Sequence, residues 1–398
     1  MDAQSRTQEL ADHLVASGQE VGLQIAAYLN GELVVNVCSG KADTTTGRPV
    51  DERTLFTCGP GPGPVSTVVH TLAERGLLDY AAPVAAYWPE FGDHGKHDMT
   101  IAHVLTHSAG VPQAPPGITL DDLADWDGMC ARIADLRPLW RAGTATGFHA
   151  LTFGFILGEV VRRVTGRPVS AVLRDEVAAP LGVSGDLWFG IPTGHLPRVA
   201  RFEDADRSEP MANFPDGSLY HQVVPPWLQE HAALANRPEL QTAPSGSGAT
   251  AHALARMYAA LIGEVDGVRL IGPARTGRLS RAITTKEDRV TWGPVPKGLG
   301  YMVGIMGMGS ASAFGWTSGS GGLAFADPDR GFSFAYMPNL LTLAPLGLAD
   351  EVADAVRLAL GLETGTIQAV RRRQAERAVR RLRTRVAKRR AADAKRRR

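Results

Sequence analysis

The side chains of this 398-residue chain that could do chemistry are few and scattered. Ser66 and His70 stand four positions apart in a stretch with helical spacing, so they can share one helix face, and a histidine there could activate the serine as a nucleophile. The plainer account is a serine in an early helical turn and a packed histidine. Cys58, shortly upstream, is a candidate thiol nucleophile, but no cationic residue lies near it in sequence to favour a thiolate. It reads equally well as a small buried apolar residue. Asp93-His94-Gly95-Lys96-His97-Asp98 gathers metal-binding residue types without a further cluster at ligand spacing. It reads as a solvated loop, and no metal is expected. His103, His107 and Ser108 fall in one compact stretch, where packed and hydrogen-bonded side chains are expected. The Gly-rich segment GMGSASAFG (307–315) lacks the strand-to-helix setting of a phosphate loop, so no nucleotide cofactor is expected either.

The elements that must carry these residues can be read from pattern. Thr7–Ser17 has helical spacing, and VGLQIAAYL and LVVNVCSG are β-rich runs joined by Asn30-Gly31, a strong hairpin signal. GPGPGP (59–64) is excluded from helix and central strand, since alternating Pro removes donors and Gly removes rigidity. Pro64 suits a first helical position, so a short helix is expected over Val65–Arg75, closed by Gly76. Helices then dominate to about residue 235, the clearest being Ile101–His107, Leu120–Ile133 and Leu151–Val164. After them come a helix over Ala251–Ile262, strand-like LGYMVGIM, GGLAFAD and GFSFAYMPN, and a last helix over Leu348–Leu360. Strands at both ends with helices between them predict a discontinuous α/β domain from residues 1–76 and 236–365, with a helical lobe inserted over 77–235.

A composition of 44% hydrophobic and 21% charged residues is enough to bury a large core. The net charge of +1 conceals an asymmetry. Residues 371–398 carry 15 Lys/Arg and two acids, a charge of +13, which leaves −12 on the rest. The tail over 366–398 has only Val370, Val379, Leu382 and Val386 as an apolar stripe, so it is expected to lie outside the folded unit. It is a candidate contact for a polyanion, or a solubilising arm set against the acidic body. No run of 18 apolar residues could span a bilayer, and the N-terminus lacks the basic and apolar regions of a secretory signal. The three cysteines are too few and too scattered for a disulfide framework or zinc knot, so a cytoplasmic protein is expected.

Several longer stretches carry a resemblance. ERGLLDYAAPVAAYWPEF (74–91), MTIAHVLTHSAGVP (99–112), RAGTATGFHALTFGFILGEVVRRVTGRPV (141–169), SGSGATAHALARMYAAL (245–261) and GGLAFADPDRGFSFAYMPN (321–339) resemble the serine β-lactamase/penicillin-binding-protein superfamily. Within it they look most like the class C β-lactamase-like carboxylesterases, and the resemblance covers roughly residues 8–362. It implies an α/β fold of the α+β type, with an antiparallel sheet flanked by helices, a helical lobe and a cleft between them. The family's chemistry rests on Ser-x-x-Lys at the start of a helix, where the amine accepts the proton of a weak nucleophile. Counting back from Gly76 puts the serine position at Gly59 and the lysine position at Pro62. Counting forward from Phe56 puts them at Pro60 and Gly63. Neither register supplies a hydroxyl or an amine. Phe148-His149-Ala150 stands where these esterases have Tyr-His-Ala, so the ring is kept without its hydroxyl. Trp316-Thr317-Ser318-Gly319 matches the family's strand motif in weakened form.

These substitutions predict a family member without acyl-enzyme chemistry, whose cleft takes a small, largely apolar molecule for binding or for a non-hydrolytic reaction. The expected lining is Gly59, Pro60, Gly61, Pro62, Phe148, His149, Trp316, Ser318 and Gly319. A hydrolase with a relocated nucleophile is the alternative, with Ser66, Cys58 and His149 as candidates. A scaffold acting through its basic tail is a third reading.

Overall fold

A computed structural model of the chain describes residues 2–59, 62–205, 217–229, 231–305, 307–318, 321–341 and 348–364. Pro60, Gly61, Gly319 and the basic tail, 366–398, lie outside the described residues. The chain opens with helix α1 (Ala3–Ala16), whose first turn is capped by the Asp2 carboxylate accepting the Ser5 N–H. Strands β1 (Gly22–Leu29) and β2 (Glu32–Gly40) form the expected hairpin. Asn30 and Gly31 adopt φ of 51° and 85°, the paired left-handed conformations that this turn needs and that these two residues tolerate.

Strand β3 (Phe56–Gly59) leads into α2 (Pro62–Glu74). Here the expectation for GPGPGP is corrected at both ends. Gly59 pairs with Ser247, and the helix starts at Pro62 rather than after Pro64. Proline is excluded from a helix interior because it lacks an N–H, but N–H groups in the first turn have no intrahelical acceptor, so Pro62 and Pro64 forfeit no helix hydrogen bond there. The helical segment that follows contributes α3 (Ile101–Leu105), α4 (Trp126–Ala134) and α5 (Thr152–Thr165) among shorter turns. The expected continuous helix over Leu120–Ile133 is broken. A 3₁₀ turn ends at Ala124, and the Asp125 carboxylate then caps α4 by accepting the Gly128 N–H. Next come β4 (Leu187–Phe189), β5 (Ser247–Ala249), α6 (Ala251–Ile262), β6 (Met302–Val303), β7 (Phe314–Thr317), β8 (Leu323–Asp327), β9 (Phe332–Pro338) and α7 (Leu348–Ala359).

The main sheet runs β2-β1-β9-β8-β7-β6, antiparallel throughout, and a small antiparallel sheet runs β3-β5-β4. Alternation along the central strands builds two cores. Leu23, Ile25 and Ala27 of β1, with Phe332, Phe334 and Tyr336 of β9, face α1 and α7. Ala26 and Tyr28, with Ala335 and Met337, face α6 on the other side. This second core continues into the packing of α2 against α5, which sets the start of α2 beside α6 and β7.

Candidate functional site

The first turn of α2 forms one wall of a recess. Pro62, Gly63 and Pro64 face Tyr258 of α6, Trp316 of β7 and Ser318 just beyond it. The cavity measures about 50 Å³. That is room for a few water-sized occupants, well below the ~300 Å³ of a typical small-molecule site.

Trp316 belongs to an aromatic stack. His107 lies between Phe153, at 4.5 Å and 16°, and Trp316, at 5.3 Å and 23°, and Phe148 stacks on Trp316 at 6.4 Å. The backbone of Phe148 is fixed from below. Its N–H donates to Asp288 Oδ1 (3.1 Å), which also accepts from Val290 and Thr291. The other carboxylate oxygen faces Lys297, whose ammonium lies 2.9 Å away as an ion pair, out of line for a regular hydrogen bond. Both charged side chains are buried. Burial opposes the charge on Asp288, but the ammonium and the backbone N–H groups outweigh it and hold the carboxyl below its ordinary value.

The candidate nucleophiles fall differently from their sequence spacing. Ser66 is fully buried, and its hydroxyl donates to the Gly300 carbonyl at 3.0 Å. His70 shares its helix face yet turns both nitrogens elsewhere. Nε2 donates to the Leu299 carbonyl (3.1 Å), so Nδ1 accepts from the Tyr80 hydroxyl (2.7 Å). Burial drives the His70 pKa down to about 3, too weak a base to take a serine proton at neutral pH. The Ser66–His70 pairing that the spacing allows is therefore corrected: each side chain has found a stronger local partner. Thr67 is likewise engaged, donating to the Gly63 carbonyl and meeting the Tyr301 hydroxyl. Cys58 lies in β3, where only its backbone is described. Cys38 is no substitute, since burial pushes its thiol up to about 12.

His149 was expected to line the cleft, but it is fully buried behind the aromatic stack. Its Nδ1 donates to the Gly147 carbonyl at 2.6 Å, and burial lowers its pKa to about 4. Pro62, Trp316 and Ser318 do line the recess, whereas Phe148, also expected there, stacks on Trp316 without lining it. His103 caps α3 by accepting the Thr100 N–H, and Ser108 bonds Thr106. In the 93–98 loop, Lys96 turns inward and donates to the carbonyls of Asp93, Ala134 and Leu136. No metal-binding cluster occurs among the described residues. Tyr258, Asp288 and Lys297 carry no sequence signal of a site: Tyr258 is one apolar-face residue of α6, and the other two are charges in a loop.

Taken together, an antiparallel sheet with helices on both faces and a helix opening onto a recess beside strand β7 define the β-lactamase/transpeptidase-like fold. Residues 7–359 match the family model described as Beta-lactamase, and the chain belongs to that family. It is 35% identical over 356 residues to the esterase/beta-lactamase LipL of Mycobacterium tuberculosis, covering 83% of this chain and 79% of LipL. Among solved structures, a family VIII carboxylesterase aligns with a TM-score of 0.81 at 29% identity, over 90% of this chain and 97% of its own. A penicillin-binding-protein homologue from Caulobacter crescentus aligns equally well, at 0.81 and 32% identity, over 90% and 98% of the two chains. No helix among the described residues is long and apolar enough to cross a membrane.

Proposed function

We propose that this member of an esterase-containing family does not form an acyl-enzyme. Its cleft instead takes a small, largely apolar molecule, of which the recess of about 50 Å³ admits only a group of a few atoms, for binding or for a non-hydrolytic reaction driven by positioning. The observation that carries this reading is the first turn of α2. Pro62, Gly63 and Pro64 occupy the helix start, and the next hydroxyls along it, Ser66 and Thr67, are committed to buried hydrogen bonds. A nucleophile there would also lack a base, because the buried His70 and His149 are held neutral and weakly basic. Trp316 on the wall of the recess, with Leu254, Leu323 and Met337, suits an apolar occupant.

The reading is tested by intact-mass spectrometry after incubation with a fluorophosphonate and with ampicillin. The expected result is an unchanged mass with both, and hydrolysis of p-nitrophenyl acetate no faster than that of the heat-unfolded protein. Stoichiometric labelling abolished by Ser66→Ala or Cys58→Ala would overturn it and establish a relocated nucleophile.

A further inference from the structure

We propose that Tyr258 bars the family's lysine position and sets the size of whatever the recess can hold. This rests on the reading above and on the register counted forward from Phe56, which puts the lysine position at Gly63 rather than Pro62. A Cβ on Gly63 would lie 2.8 Å from the Tyr258 hydroxyl oxygen and 3.7 Å from the ring carbon that bears it. Real Cβ atoms essentially never approach another heavy atom closer than about 3.0 Å, so any side chain at 63 requires the phenol to move.

The phenol is not free to swing away. Tyr258 is buried in α6, and its ring packs on Tyr301 at 5.9 Å. Tyr301 is in turn fixed by its hydroxyl contact to Thr67 (2.8 Å) and by packing on His70 and Phe314. Thr67 closes the circuit by bonding the carbonyl of Gly63 itself. The turn that would carry the lysine and the ring that blocks it are therefore tied to one another. What remains beside them is the cavity of about 50 Å³, bounded by Tyr258, Trp316 and the first turn of α2. A lysine stem cannot enter it without displacing the phenol, and an acyl group would face the same wall. Placing an amine at 63 alone therefore does not reopen the site while Tyr258 stands against it.

The test is a double-mutant cycle read by thermal unfolding, with Gly63→Ala made in the native background and in Tyr258→Phe. Phenylalanine removes the one atom that collides and leaves the ring. In the native background Gly63→Ala is expected to lower the melting temperature by roughly 1–4 °C, the usual penalty of overpacking spread over a domain of this size. In the Tyr258→Phe background the loss is expected to shrink to within about 1 °C of zero. The lower unfolded-state entropy of alanine is there set against the cost of a Cβ in a helical turn directly before Pro64, whose ring disfavours that conformation for the residue preceding it. The same shift in both backgrounds would overturn the proposal, because the phenol oxygen would then not be what a side chain at 63 meets. The cycle reads packing alone, so its outcome is independent of whether the native protein takes a covalent probe. A second arm uses the rebuilt site, Pro60→Ser, Gly63→Lys and Phe148→Tyr, with fluorophosphonate as the probe. Labelling at least tenfold faster when Tyr258→Ala is added supports the proposal, and equal labelling with Tyr258 intact refutes it.

Discussion

Replacing Lys297 with methionine is expected to destabilise the protein by about 3–5 kcal/mol, the usual result of stripping the partner from a buried charge. Lys297 and Asp288 are 2% and 1% exposed, so water cannot solvate the carboxylate that is left behind. The Asp288 carboxyl would recover part of the loss by taking up a proton, and that protonation would weaken the bond it accepts from the Phe148 N–H. The effect should therefore appear twice: as a drop in melting temperature of roughly 5 °C, and as altered fluorescence of Trp316, on which Phe148 stacks. Adding Asp288→Asn should recover much of the stability. It removes the second charge and keeps an oxygen for the N–H groups of Phe148, Val290 and Thr291. A loss below about 1 kcal/mol in the single variant would mean that the pair is effectively solvated, which its burial contradicts.

The second large effect depends on pH. Glu20 is 3% exposed, its Oε1 accepts the Tyr336 hydroxyl, and its Oε2 has no hydrogen-bond partner among the described residues. Burial pushes its pKa up from 4.5 to about 7, against the smaller opposing influence of that hydrogen bond. A carboxyl raised in the folded state binds its proton more tightly when folded than when unfolded. Its contribution is therefore fully present below the unfolded value and is lost as pH rises from 4.5 towards 7. Above that it stays constant. A shift of this size corresponds to about 3 kcal/mol. Urea unfolding between pH 4 and pH 8 should show this loss in the native protein beyond that of Glu20→Gln, which cannot titrate. At pH 8 the glutamine variant should be the more stable of the two. Equal pH profiles would show that folding leaves the Glu20 pKa where it is in the unfolded chain.

What the sequence determined by itself was local or was a matter of residue type. The Asn30-Gly31 hairpin is legible because two left-handed residues in succession leave few alternatives. Helix α6 falls over Ala251–Ile262 as its apolar spacing and the Thr250 cap dictate, and α5 ends at Gly166 with φ of 70°, a conformation that glycine adopts without strain. That no Ser or Lys stands at positions 59, 60, 62 or 63 is likewise final, since folding cannot supply a functional group that the chain does not encode there. Where helical spacing met competing partners, sequence reasoning stopped. Ser66 and His70 are correctly placed on one face of α2, yet the carbonyls of Gly300 and Leu299, more than 200 residues away, capture them separately. Tyr258 reads as one more apolar-face residue of α6 until the fold sets its hydroxyl against Gly63. Asp288 with Lys297, and Glu20 with Tyr336, read as separate residues until burial raises the energetic weight of each contact. Only tertiary structure decides these, because an electrostatic or steric contact takes its strength from what excludes water around it, and that exclusion is a property of the whole packed core.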